Sequence, residues 1–443
     1  GGIGATDSTA ALQSALDQAA AAGGGVVALS AGTYRIDGLL RVTGSGVVLA
    51  GAGPDATFLD LRRAEGMSDQ ANLTFAGALD AGEPVALAED AAQGAFSVTL
   101  SAPAALSPGD PVGLGMVVTD AFVTEHGMDG FWGFAAGARR TIFQRTVVAV
   151  DGATVTLDAP LRYPLRVRDA ADLRVERGAL RDCGVQGLAV STAVDWDAAW
   201  SADRSHAVTF DRVADCWMRD VVSWAGPAGD GTHHLQSGGV LVSRSRHVTV
   251  ADTTLERAQN RGGGGNGYLF ELRQSDDVLV RDSVGRHGRH NFIQNWDFGT
   301  TGCVFLRTVS QGGEAWPDAG GGTGTTTGFS EYHHALAMAN LVDDSVADDG
   351  WGAVNRLTYS SGAGHTATRS VFWNLRGAGQ LVSLQFGRGY VIGTDGLEVR
   401  TEVLDLYDSR GTAPEDWVEG LDRGADLQPS SLYEDQRARR LGR

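Results

Sequence analysis

The chain has 443 residues, enough for a large core or more than one domain, with 62 glycines, 11 prolines and an ordinary apolar fraction of 42%. Its net charge of −18 argues against nucleic acid as the main partner, and no apolar run approaches the roughly 20 residues of a membrane span. All 36 basic residues are arginine, which excludes lysine-based nucleophilic or Schiff-base chemistry.

The first forty residues hold the strongest fold signal. Asp7 and Ser8 are good helix N-caps, and Leu12, Ala15, Leu16 and Ala19 recur at helical spacing, so a short amphipathic helix is predicted over 9–22. Gly23 to Gly25 end it. Val26 to Leu29 reads as a buried strand, and Ala31-Gly32-Thr33-Tyr34 turns into a second strand ending at Ile36. A lone helix before short strands and glycine turns suits a plug over the open end of a strand stack. This stretch resembles the N-terminal signature of the pectate-lyase-like, polygalacturonase-related right-handed parallel β-helix proteins. The resemblance implies a helix capping the first coil, a secreted or cell-surface protein that is a monomer or homotrimer, and a polysaccharide partner. The chain opens inside this signature and carries no signal peptide, so residue 1 is expected to mark a processing boundary.

Residues 88–168 have a different rhythm. FSVTLS, GDPVGLG and TVVAVDGATVTLDAPL read as hairpins, with Asp151-Gly152 a strong turn, so a β-rich insertion is expected between early coils (1–87) and later ones. Its segment 121–134 is a loop expected to pack in the ordinary way or to wall a groove. From 169 to 400 a repeat near 30 residues emerges: WMRDV (217–221), VTVADT (248–253), VLVRDS (278–283) and VFLRTV (304–309). Each is preceded by another short strand, as in YLFEL (268–272) and NFIQN (291–295). Strand, turn, strand, loop at that period is what a parallel β-helix needs. Asp220, Asp252 and Asp282, with Thr308 as the next equivalent, read as structural turn residues. Cys183, Cys216 and Cys303 read as buried thiols, a Cys183–Cys216 bridge being the alternative. The glycine- and threonine-rich loop 311–330 is expected to be mobile or groove-lining. The tail 401–443 is expected to be irregular, packed on the solenoid, with a short terminal helix.

Eight of the ten histidines fall between 233 and 365. The densest segment, GRHGRHNF, holds Arg289 and His290. EYHH follows with Glu331, His333 and His334, then AVNR with Asn355 and Arg356, then GAGH with His365. On successive coils these residues can converge on one flank. The order of these motifs resembles an uncharacterised branch of the pectate-lyase-like proteins over roughly residues 170 to 375, which bears on the location of the site rather than its chemistry. His290, His334, Arg289, Glu271 and Glu331 are the catalytic candidates. Arg356, His365, Asn355, His333 and Trp296 are the substrate-binding candidates.

Three functions compete. β-Elimination on a uronate polymer needs a cation for the carboxylate, a base for the C5 proton and an acid for the leaving oxygen, which arginine and histidine supply. Glycoside hydrolysis or transfer needs a carboxylate pair, for which Glu256, Glu271, Asp297 and Glu331 are candidates. The polygalacturonase motifs are absent as such; Asp276-Asp277 only echoes one. A non-catalytic, carbohydrate-binding surface β-helix needs neither arrangement. No metal site is expected at the histidines, since adjacent His333 and His334 point to opposite faces of a strand. Calcium is the one cofactor left open, through Asp343-Asp344 and Asp348-Asp349.

Overall fold

The computed structural model describes residues 6–316, 326–401, 412 and 414–442. The central part of the loop 311–330, residues 317–325, and residues 402–411 of the tail lie outside them. The chain forms a parallel β-helix. One long sheet of ten strands runs through Leu40–Val42, Ala71–Ala76, His206–Asp211, Gly238–Ser243, Tyr268–Arg273, His290–Gln294, Ser330–Tyr332, Trp351–Ala353, Gln380–Ser383 and Glu398–Arg400, every pairing parallel. A second, 17-stranded assembly closes the other sides of the coils.

Register puts like residues over like. Phe75 pairs with Phe210 and Phe270 with Phe292, and in both pairs the rings stack 4.8 Å apart inside the solenoid. The recurrent acidic turn residues are backbone devices: Asp220, Asp252, Asp282, Asp344 and Asn374 have φ of 53°, 50°, 49°, 47° and 52°. Asp and Asn tolerate this left-handed region because their short polar side chains bond locally. The equivalent position in the intervening coil is Arg307 (φ 49°), since Arg281 pairs with Leu306; Thr308 is one residue out of register.

The helix Thr9–Ala21 covers the first coil and buries Leu12 and Leu16. Its start is tied by Asp7, whose Oδ1 accepts from the amides of Thr9 (2.9 Å) and Asp37 (3.1 Å); Ser8, expected to cap, makes no such bond. Leu16→Asp should lower stability by at least about 3 kcal/mol in a denaturant titration, because an unpaired carboxylate would be forced beneath the cap. A loss under about 1 kcal/mol would show that the cap is dispensable.

The antiparallel sheet that interrupts the solenoid is wider than expected from sequence. It begins at Asp80–Ala81 and ends at Asp172–Arg177, because these flanking strands pair with each other. The coils on either side of it are continuous: Thr57–Leu61 pairs with Gly184–Ser191, and Ala71–Ala76 with His206–Asp211. The inserted sheet has its own core, including Phe122, Trp132 and Phe143, which also takes in Phe298, Leu336 and Met338 of the solenoid. The segment 121–134 belongs to that core; Trp132 donates to the Ala363 carbonyl at 2.9 Å.

The insertion is anchored by charge. Fully buried Arg145 donates to Asp276 at 2.6 Å, and Arg162 pairs with Asp277. Burial pushes the Asp276 carboxyl up to about 7 and lowers the Arg145 guanidinium. The Asp276-Asp277 pair is therefore a docking anchor.

The three cysteines are free, buried thiols, and no Cys183–Cys216 bridge forms. The tail contributes more than an irregular stretch. Trp417–Glu419 adds a strand to the solenoid, and the helix Leu432–Arg440 is seated by Asp343, which accepts from Ser431 Oγ (2.7 Å) and the Tyr433 amide (2.8 Å). The other aspartates considered for calcium also have protein partners: Asp344 pairs with Arg376 (2.8 Å), Asp348 accepts from Gln311 (2.6 Å) and Asp349 from Asn291 (2.7 Å). Among the described residues no helix is long and apolar enough to cross a membrane.

Candidate active site

The ten-stranded sheet sets the site. Glu271, Ile293 and Glu331 occupy one register row on consecutive strands. Phe270, Leu272 and Tyr332, their neighbours along the strands, fill the solenoid core, so alternation turns the two glutamates to the opposite face. The glutamates are two strand spacings apart, each roughly 4.8 Å. Both are fully buried, and neither lines open space.

Above them lies a cavity of 390 Å³. Arg204, Arg273, Arg289 and Arg356 line it, with Tyr268, Asn295, Trp296, His333 and one carboxylate, Asp69. The buried glutamates hold this lining in place. Glu331 accepts from Arg356 Nη1 at 2.6 Å and bonds His333 Nδ1; His290 Nε2 lies 3.3 Å from the same oxygen. Glu271 accepts from Arg273 Nε (2.6 Å) and Asn295 Nδ2 (2.7 Å). Asp69 ties the far wall, bonding Arg273 (2.7 Å), Arg204 (2.5 Å) and His206 (2.9 Å).

Charge state follows from these contacts. Burial alone would raise both glutamates. Arg356, His333 and His290 instead hold Glu331 far below the usual carboxylate range, and Arg273, Arg204 and His206 bring Glu271 down to about 2. Burial lowers His333, so its imidazole is neutral near pH 7, and drives His290 down to about 4 against the attraction of Glu331. The Tyr268 phenol is pushed up to about 12 by burial and stays protonated. Among the described residues, four guanidiniums thus face three carboxylates (Asp69, Glu271 and Glu331), one positive charge in excess.

Glu271 carries a pH signature. Its folded value of about 2 lies below the reference 4.5, so its contribution is fully present above pH 4.5 and is lost as pH falls toward 2. The contribution is on the order of 3 kcal/mol. Glu271→Gln should be less stable at neutral pH and should show a flatter stability profile across that acid window in urea titrations. Parallel profiles for the two proteins would contradict this charge assignment.

Several sequence candidates meet here: Arg289, His333, Arg356 and Trp296 line the cavity, while His290, Glu271 and Glu331 lie beneath it. Three do not. His334 is turned toward the insertion, packed between Phe134 and Trp296 with ring centroids 4.5 Å from each. His365 packs on Phe386 at 5.2 Å, and its amide donates to Met128 Sδ at 3.4 Å. Burial lowers these histidines to about 3 and about 4, consistent with packing roles. Asn355 closes a turn by accepting from the Leu357 amide at 3.0 Å. His333 and His334 lie past the end of the strand Ser330–Tyr332 and take different partners, Glu331 for His333 and the rings of Phe134 and Trp296 for His334.

Tyr268, Asp69, Arg204, His206, Arg273 and Asn295 were missed from sequence. Arg273 and Asn295 had a usable signal, since each lies two residues beyond a member of the Glu271–Ile293 row and so on the same face. Asp69 had none; 204 residues separate it from Arg273.

His290, Glu331 and His333 also place ligand-type atoms within 4.8 Å of one another, a set that could hold a metal ion. The Arg356 guanidinium already neutralises Glu331 in that cluster, which disfavours a further cation.

No protein-family model matches the chain, and no curated protein matches it. Solved structures do. The tailspike of Acinetobacter baumannii bacteriophage AP22, in complex with A. baumannii capsular saccharide, is similar over 89% of this chain at 10% identity and TM-score 0.55. The chain spans 56% of that tailspike. The polygalacturonase of Erwinia carotovora is similar over 94% of this chain and 92% of its own, at 10% identity and TM-score 0.40. The surface adhesin PfbA of Streptococcus pneumoniae is similar over 95% and 90%, at 11% identity and TM-score 0.41. At such identities the likeness concerns the parallel β-helix fold.

Proposed function

We propose that the protein is a polysaccharide-degrading enzyme, secreted or at a cell surface, that cleaves a uronate-containing polymer by β-elimination. The observation that carries this reading is the cavity: four arginines with one unbalanced positive charge, beside a histidine held by a buried glutamate. A uronate carboxylate supplies the missing negative charge, and the planar fork of arginine suits a carboxylate. That the AP22 tailspike binds a capsular saccharide on the same fold agrees with a saccharide ligand.

The residues divide the reaction as follows. Arg289 and Arg356 take the substrate carboxylate and stabilise the charge that develops as the C5 proton leaves. Glu331 fixes His333 with Nδ1 protonated, which leaves the Nε2 lone pair to accept that proton. The electron pair of the C5–H bond forms the C4–C5 double bond as the C4–O bond breaks. The leaving glycosidic oxygen takes a proton from Tyr268, which burial keeps protonated. Trp296, 46% exposed, offers a face for sugar stacking.

The carboxylates beneath the cavity do not suit a carboxylate-pair mechanism, and Asp297, which burial raises, is tied to Arg140 at 2.6 Å outside this cavity. Hydrolysis needs one carboxyl group kept protonated, whereas Glu271 and Glu331 are both held ionised and lie below the floor. Incubation with a panel of polyuronates should give products with the ultraviolet absorbance of an unsaturated uronate. Saccharide products without that absorbance would contradict elimination, and tight binding without products would make the protein a carbohydrate-binding one.

A further inference from the structure

A second arginine-lined cavity of 390 Å³ lies where the insertion meets the solenoid. Arg139, Arg140, Arg174, Arg177, Arg212 and Arg244 surround it. Their carboxylate partners number five: Asp172, Asp297, Glu176, Asp110 and Asp211, the last shared by Arg212 and Arg244. One guanidinium charge is again left over, in a chain whose net charge is −18. The excess charge is not what docks the insertion, because the docking contacts are matched pairs (Arg145–Asp276, Arg162–Asp277 and Arg140–Asp297) and the apolar core around Phe298.

The two cavities adjoin. Trp296 lines the first and Asp297 the second; Arg273 lines the first and Gln274 the second. They therefore open on the two sides of one turn, with the exposed Trp296 ring at the boundary. Arg140 fixes that turn from the insertion by donating to Asp297 at 2.6 Å.

We infer that the second cavity is a remote subsite for another acidic sugar of the same polymer chain, so that the insertion extends the substrate track beyond the catalytic cavity. This inference rests on the uronate reading proposed above. It gives the insertion a role in binding long anionic chains, and the energy of remote binding helps hold the reacting sugar in place.

The test is Arg177→Ala/Arg244→Ala, in the full-length protein. Both side chains are about half exposed, at 54% and 45%, and each pairs with one aspartate, so thermal stability should change little. The measurement is the ratio of KM for a long polyuronate to KM for a uronate tetrasaccharide. Losing charge-assisted bonds at a remote subsite should raise that ratio about tenfold, and less at high salt. An unaltered ratio in a variant that still cleaves the polymer overturns the inference while leaving the uronate reading intact. If the wild-type protein cleaves no polyuronate, both fall together.

Discussion

His333→Ala is expected to lower kcat on a cleavable polyuronate by about a thousandfold, the scale of a lost general base. The melting temperature should hardly move. His333 contributes one hydrogen bond to Glu331, and Arg356 remains to pair that carboxylate. Both outcomes are needed: loss of activity with loss of fold would mean only that the imidazole supports the floor. His290→Ala separates the two positions. His290 Nδ1 bonds the Phe329 carbonyl at 2.6 Å and its ring lies beneath the cavity, so on the proposed reading it would act only through Glu331 and His333. Its replacement should cost far less than that of His333. Equal losses would return the base to the deeper histidine.

The second large effect concerns the anchor of the insertion. Arg145→Ala should destabilise the protein by about 3–5 kcal/mol in a urea titration, because the buried Asp276 carboxyl and the carbonyls of Ala159 and Pro160 would lose their guanidinium donor and the space of a large buried side chain would be emptied. The double change Arg145→Met/Asp276→Leu should recover most of that loss, since it removes both charges and leaves apolar volume. A single change costing under about 1 kcal/mol would show that the pair is not what docks the inserted sheet.

The fold was legible in the sequence where a local rule repeats. The capping helix, the strand–turn–strand period and the acidic turn residues each follow from residue type at fixed spacing, and the structure has all three. The limits of the inserted sheet were less legible, because Asp80–Ala81 and Asp172–Arg177 carry no hairpin signal; they find each other only across the whole insertion. The site was half legible. Motif order brings Arg289, Glu331, His333 and Arg356 together, because coil stacking turns sequence period into proximity. It misplaces His334 and His365. The sequence shows their coil but not that the insertion covers that side, packing Phe134 and Trp132 against them. Asp276-Asp277, which only echoes a polygalacturonase motif in the sequence, meets Arg145 and Arg162 of the insertion.

The role of the glutamates is the sharpest difference between the two levels. Sequence offers them as reacting carboxylates. Register places them one residue row below the cavity, where arginine keeps them charged and they orient His333, Asn295 and the guanidiniums. On the proposed reading, an apparent acid pair becomes a rigid base for arginine and histidine chemistry.

The central claim is that an acidic sugar seats its carboxylate among the cavity arginines with C5 against His333. A crystal structure of His333→Ala with a bound uronate oligosaccharide tests it most directly. The account predicts the carboxylate between Arg289 and Arg356, C5 facing the space vacated by the imidazole, and a sugar ring on Trp296. An oligosaccharide bound on another flank of the solenoid, with this cavity empty, would contradict it.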